Sequence, residues 1–179
     1  MQLKKDDKGN PSQTSPLKTP SGFNNRDASE IAEALNGLVA DAFALYIKTK
    51  NFHWHLSGPH FRDYHLLFDE QADQIFASID PLAERVRKIG QTTLRSIGHV
   101  SKIAQIKDND KEYVSPDEMV IELIADNRVM AESMRKCHAL CDDKDDVATA
   151  SLLEIYIDET ERRTWFLFET SRSSDRSGH

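Results

Sequence analysis

From residue 31 the apolar positions fall at alternating steps of four and three: Ile31, Leu35, Leu38, Ala42 and Leu45. That spacing keeps them on one face of an α-helix, and no stretch alternates convincingly with the two-residue period of a strand. The helix is predicted to open at Asp27, with Glu30 three places on as in a capping box. It runs to about Trp54, where Ser57-Gly58-Pro59 breaks it. A second helix is predicted from about Pro59 to Lys88, closed by Gly90. Gln91 to Val114 holds no sustained period and is expected to be irregular, with one short helix around Leu94 to Ile97. Ser115-Pro116-Asp117-Glu118 is a strong third start, with serine as N-cap, proline first and glutamate third. Met119, Leu123, Met130, Met134 and Cys137 then share a face. The acidic run Asp142-Asp143-Lys144-Asp145-Asp146 leads into a fourth helix with Ala150, Leu153, Ile157, Thr164 and Phe168 on one side, and its carboxylates suit that helix's positive end. Four helices of about 25 to 30 residues, each roughly 40 Å long, with a long link between the second and third, predict an all-α fold. It is an antiparallel four-helix bundle with a crossover connection and a short extra helix between the second and third.

Length and charge narrow this further. The 179 residues suit one domain, long enough to bury a core. Residues 1–25, rich in Lys, Ser, Pro, Asn and Gly, are expected to form a disordered, weakly basic tail. The bundle is expected over 26–171 and a flexible C-terminal tail over 172–179. The net charge of −7 sets the body against nucleic acid and anionic membranes and draws metal cations to it. No apolar run nears the roughly 20 residues of a membrane span, and no apolar region follows the N-terminal lysines as a secretory signal requires. A cytoplasmic location is expected. Cys137 and Cys141 stand one helical turn apart, a poor geometry for a disulfide, and read as reduced thiols; metal binding by the pair is the lesser alternative.

The chemistry concentrates in the second helix and the turn before it. Four of the seven histidines lie between His53 and His65, beside carboxylates. His53, His65, Asp69, Asp80 and Glu84 form a set that suits iron, manganese or zinc and leaves open coordination positions. At about 100° per residue, with His65 at zero, Asp69 lies near 40°, Asp80 near 60° and Glu84 near 100°, so all share one stripe. Asp69 and Asp80 are nevertheless roughly 16 Å apart along the axis, whereas ligands lie about 2 Å from a metal. One chain therefore cannot close the set on one ion. Two copies of the helix packed antiparallel about a two-fold near Gln74 and Ile75 would bring Asp80 and Glu84 of one to His65 and Asp69 of the other, twice per dimer. Pro81 sits inside this helix and is expected to kink it or to begin a fresh helix capped by Asp80. No glutamate precedes a histidine by three places, so the Glu-x-x-His pairs of diiron bundles built within one subunit are missing.

The string from Asn51 to Arg85, NFHWHLSGPHFRDYHLLFDEQADQIFASIDPLAER, resembles the signature of the Dps family of mini-ferritins. The similarity extends over about residues 27 to 170, through IELIADNR, DDVATASLLE and DETERRTWFLFE. The resemblance implies a ferritin-like bundle assembled as a hollow dodecamer. It implies that His53, His65 and Asp69 come from one subunit and Asp80 and Glu84 from its two-fold mate. Fe(II) would be oxidised there, preferentially by hydrogen peroxide, and ferric oxide stored inside, protecting against oxidative damage. Asp69 and Glu84 would be the strongest ligands, and zinc could also occupy the site. Histidines ligate when neutral, so uptake should weaken below about pH 6. By the same resemblance Trp54 is a candidate radical sink, although interface packing is the favoured reading; His55 and His60 read first as surface histidines and otherwise as outer-shell or transient metal contacts. Asp142, Asp143, Asp145 and Asp146 are candidates for an iron-entry pore, or else a solvated turn.

Many members of that family bind DNA through basic tails. Here residues 1–25 carry Lys4, Lys5, Lys8 and Lys18 against Asp6 and Asp7, a weak phosphate-binding set that twelve tails together would strengthen. Two rival readings thus stand beside the iron-oxidising enzyme. One is a DNA-compacting, nucleoid-associated protein; the other is a helical bundle that binds metal without turnover.

Overall fold

The computed structural model describes residues 16–172. In order, its helices are α1 (Asn25–His55), α2 (Phe61–Lys88), α3 (Ile97–Ile103), α4 (Pro116–Asp143) and α5 (Val147–Thr170). The hairpins α1–α2 and α4–α5 are the two principal packing pairs, joined through α1 against α4 and α2 against α5. The connection from α2 to α4 carries the short α3, which lies on α1. This is the expected all-α ferritin-like bundle with a crossover. Ile31, Leu35 and Phe52 of α1, Phe68 and Leu82 of α2, Leu123 and Met130 of α4, and Leu153 and Leu167 of α5 meet in one core. No helix among the described residues is long and apolar enough to cross a membrane.

The caps explain where elements begin and end. Asn24, not Asp27, caps α1, its side chain accepting from Asp27 N at 2.9 Å; Glu30 instead accepts from Arg26. The expected α4 capping box is present, with Ser115 Oγ accepting from Glu118 N and Glu118 Oε2 from Ser115 N. The α2 helix starts two residues later than expected, after a turn in which Gly58, at φ 131°, accepts from Phe61 N. It continues unbroken through Pro81, so Asp80 caps nothing; its neighbours Ile79 and Leu82 are buried and hold the helix to the core on both sides of the missing N–H.

At its end Gly90, at φ 90°, donates to Arg87 O while Gln91 N donates to Val86 O, a Schellman motif. The described part of the expected N-terminal tail lies across this end. Arg87 donates to Leu17 O at 2.6 Å and to Thr19 Oγ1 at 3.3 Å. Lys4, Lys5 and Lys8 fall outside the described residues, and Lys18 is exposed.

Two departures have physical causes. The short helix lies at Ile97–Ile103 because Ser96 caps it, accepting from His99 N. On α5 the buried face passes through Thr160, Arg163 and Leu167, leaving Phe168 exposed. Polar residues complete that face: Arg163 donates to Asn127 Oδ1 at 2.9 Å and to Thr160 Oγ1 at 2.7 Å, while Gln71 donates to Arg163 O. Burial lowers the Arg163 guanidinium to about 10.

Candidate metal centre

The tight turn between α1 and α2 sets the last turn of one helix against the first turns of the next. His53 Nδ1 donates to His65 O at 2.8 Å, and His65 Nδ1 donates to His53 O at 3.1 Å. A carbonyl oxygen only accepts, so each Nδ1 carries a proton, and in the neutral ring Nε2 is the nitrogen that offers a lone pair. This is the outer support that orients metal-binding imidazoles. The two rings stack, with centroids 3.8 Å apart and planes at 19°. Phe61 covers His65 with centroids 4.9 Å apart.

Asp69 follows His65 by one turn, and its Oδ1 lies 3.8 Å from His53 Nε2. That oxygen already accepts from Lys50 Nζ at 2.6 Å. The Lys50 hydrogen bond holds the Asp69 carboxyl below its usual range, and the same bond raises Lys50. Lys50 thus puts a cation where His53 and Asp69 would share a metal ion. Lys50 and Phe61 were not among the candidates read from the sequence. Their spacings, three residues before His53 and four before His65, are the signals that place both on the same helix faces as these histidines.

Asp80 and Glu84 do not join this group within the subunit. Both are exposed farther along α2, and Glu84 accepts from Lys88 at 3.1 Å. The helix between is continuous, leaving roughly 16 Å between Asp69 and Asp80 along the axis. Among the described residues no group of three His, Cys, Asp or Glu side chains of one chain could hold a metal ion. The exposed stripe of α2 that carries Asp69 and Asp80 also carries Asp73 and Phe76, with Leu66 and Glu84 at its edge. Leu66 is 49% and Phe76 55% exposed, large apolar surface amid carboxylates. Ile75 is buried in the subunit's own core and Gln74 donates to Glu70, so Asp73, Phe76 and Ala77 are the outward residues at the middle of the helix.

The remaining candidates are spread more widely. Trp54 follows His53 and is 60% exposed. His55 Nδ1 donates to Asn51 O, and His60 lies edge-on to Tyr64. In the α4–α5 turn Asp142, Asp143 and Asp145 are exposed, whereas Asp146 is 1% exposed. Asp146 caps α5 by accepting from Thr149 N and also accepts from Arg85 Nη2 at 2.6 Å. Its oxygens are committed inside the protein. Cys137 and Cys141 are both buried, and contact with Cys137 together with burial pushes the Cys141 thiol far up.

The family profile described as a ferritin-like domain matches residues 32–173. A DNA protection during starvation protein of Brevibacillus brevis is 33% identical over 137 residues, covering 76% of this chain and 91% of that one. The chain belongs to the Dps family of ferritin-like proteins. The X-ray structure of Dps from Thermosynechococcus elongatus agrees with this Dps chain at a TM-score of 0.81 and 27% identity, over 86% of this chain and 98% of that one. The Dps protein of Vibrio cholerae O1, described as a member of a broad superfamily of ferritin-like diiron-carboxylate proteins, agrees at 0.82 and 25%, over 89% and 99%.

Proposed function

We propose that this Dps protein is a ferroxidase and iron-storage protein whose sites are shared across a two-fold axis. His53, His65 and Asp69 of one subunit would take Fe(II) as substrate, with Asp80 and Glu84 supplied by the mate. The observation that supports this most is the half-built pocket itself. His53 Nε2 lies 3.8 Å from the Asp69 carboxylate with the His65 ring stacked beside it, and further carboxylates stand on the same exposed helix stripe, out of reach within one chain. Two Fe(II) each give one electron to hydrogen peroxide; its O–O bond breaks and, with two protons, two waters form. Lys50 must leave Asp69 Oδ1 as iron arrives, so one positive charge replaces another in the pocket. Leu66 and Phe76 would be covered in the two-fold contact. A hollow homododecamer would receive the ferric product, and zinc would compete for the same ligands.

The test is subunit mixing. Asp69→Ala and Glu84→Ala should each abolish peroxide-driven Fe(II) oxidation. Co-assembled in equal amounts, they should regain about a quarter of wild-type sites, because each mixed dimer rebuilds one intact pocket of its two. Activity that stays absent in the mixed assembly defeats the shared site.

A role in DNA protection, as in the printed name of the Brevibacillus relative, would rest on Lys4, Lys5, Lys8 and Lys18. Plasmid retardation at low salt should then disappear when residues 1–15 are removed and Lys18 is replaced by Gln, and weaken steeply as salt is added. A plasmid that migrates unchanged with the full chain at low salt sinks that role.

A further inference from the structure

The rings at the end of the α1–α2 hairpin form a column of three: Phe61, His65 and His53. His65 is held between the other two, with Phe61 4.9 Å away at 25° and His53 3.8 Å away at 19°. We propose that Phe61 is the positioning residue of this pocket, fixing the plane of His65 and hence the direction of its Nε2 lone pair. The inference rests on the metal-binding reading of His65, and deepens it.

The physical need is specific. The terminal torsion of a histidine is broad rather than sharply staggered, and one hydrogen bond from His65 Nδ1 to His53 O leaves the ring free to tilt about it. A flat ring on each face removes that tilt. Stacked aromatic pairs hold such offset geometry through their quadrupoles, whereas an aliphatic side chain fills the space without setting a plane. Phe61 contributes little to the core, being 45% exposed. Its own placement comes from elsewhere: it is the first residue of α2, its N–H donates to Gly58 O at 3.1 Å, and His65 follows one turn later on the same face.

The experiment uses the full-length assembled protein and Co(II) as the probe, followed anaerobically by calorimetry and by the visible absorption of the bound ion. Phe61→Ala and Phe61→Leu should bind Co(II) about three- to tenfold more weakly than wild type, with an altered absorption band. Phe61→Tyr, which keeps the flat ring, should restore both. Wild-type affinity and spectrum in Phe61→Ala and Phe61→Leu, with binding lost in Asp69→Ala, would overturn the role of Phe61 and leave the metal pocket standing. Wild-type binding in Asp69→Ala would overturn the pocket, and the role of Phe61 with it. Rescue by leucine equal to that by tyrosine would also overturn the proposal, since filled volume would then suffice. If the alanine variant fails to assemble, the leucine and tyrosine variants decide the matter alone.

Discussion

Lys50 brings its ammonium within 2.6 Å of Asp69 Oδ1, so the candidate pocket holds a cation of its own, which a metal would have to displace. An incoming ion must part the pair, and the half-exposed carboxylate pays only a modest Coulomb cost because solvent screens it. Lys50→Met should therefore tighten anaerobic Fe(II) binding, by about two- to fivefold where the displaced contact is worth ~0.5–1 kcal/mol; titration calorimetry reads it. Unchanged affinity would mean that the ammonium swings aside without cost. His65, Asp69, Asp80 and Glu84 were legible in the sequence as a candidate set because metal-ligating residue types on one helical stripe are uncommon, and the structure brings His65 and Asp69 beside His53 of α1. Lys50 was not, because a lysine on a helix surface reads as solvated charge, and only the close approach of α1 to α2 turns it inward. Asp146 is the reverse case. Its place in an acidic run suggests solvent, yet Arg85 and the start of α5 take up its oxygens.

Among the elements, α2 carries four of the five candidate ligands, with His53 of α1 the fifth, and its ends matter most. Gly90 closes it at φ 90°, and a Cβ there would stand 2.9 Å from Thr19 O. Gly90→Ala should combine left-handed backbone strain of about 1–2 kcal/mol with that clash. A melting temperature lower by about 4–8 °C is expected, with release of the segment that Arg87 holds. An unchanged midpoint in differential scanning calorimetry would count against the motif. Gly90 as the stop was readable from sequence, as was the Ser115 box, since both are local chemistry. The uninterrupted run through Pro81 was not readable: a proline removes one hydrogen bond, but packing of Ile79 and Leu82 on either side outweighs the loss. On α5 the apolar stripe misled at its far end, because Thr160 and Arg163 occupy core positions that a pattern of apolar residues passes over.

At the level of the whole molecule, four apolar stripes and one long connection were enough to give the bundle and its crossover. The buried charges that tie the layers together were beyond such a pattern. Asp41 of α1 is fully buried and accepts from Gln105 N and Ile106 N, pinning the crossover beside α3. Asp126 of α4 meets the buried Lys48 at 2.7 Å. Burial raises both carboxyls above their usual range. In the window between the ordinary value, about 3.9, and those raised values, the folded protein holds protons that the unfolded chain has released. Stability is then greatest below the window and falls as pH rises through it. Asp41→Asn keeps an acceptor for the two amides and removes the buried charge. Its melting temperature should exceed wild type by about 2–4 °C at neutral pH, with the gap narrowing toward pH 4. A variant less stable at every pH would show that the charge itself is needed.

The separation of Asp69 from Asp80 along one unbroken helix has a further consequence for newly made chains. If neither half of α2 can retain iron alone, a solitary polypeptide is chemically silent, and turnover per chain should climb with protein concentration as pairing proceeds, then level off. Iron oxidation would then begin only once two chains have met.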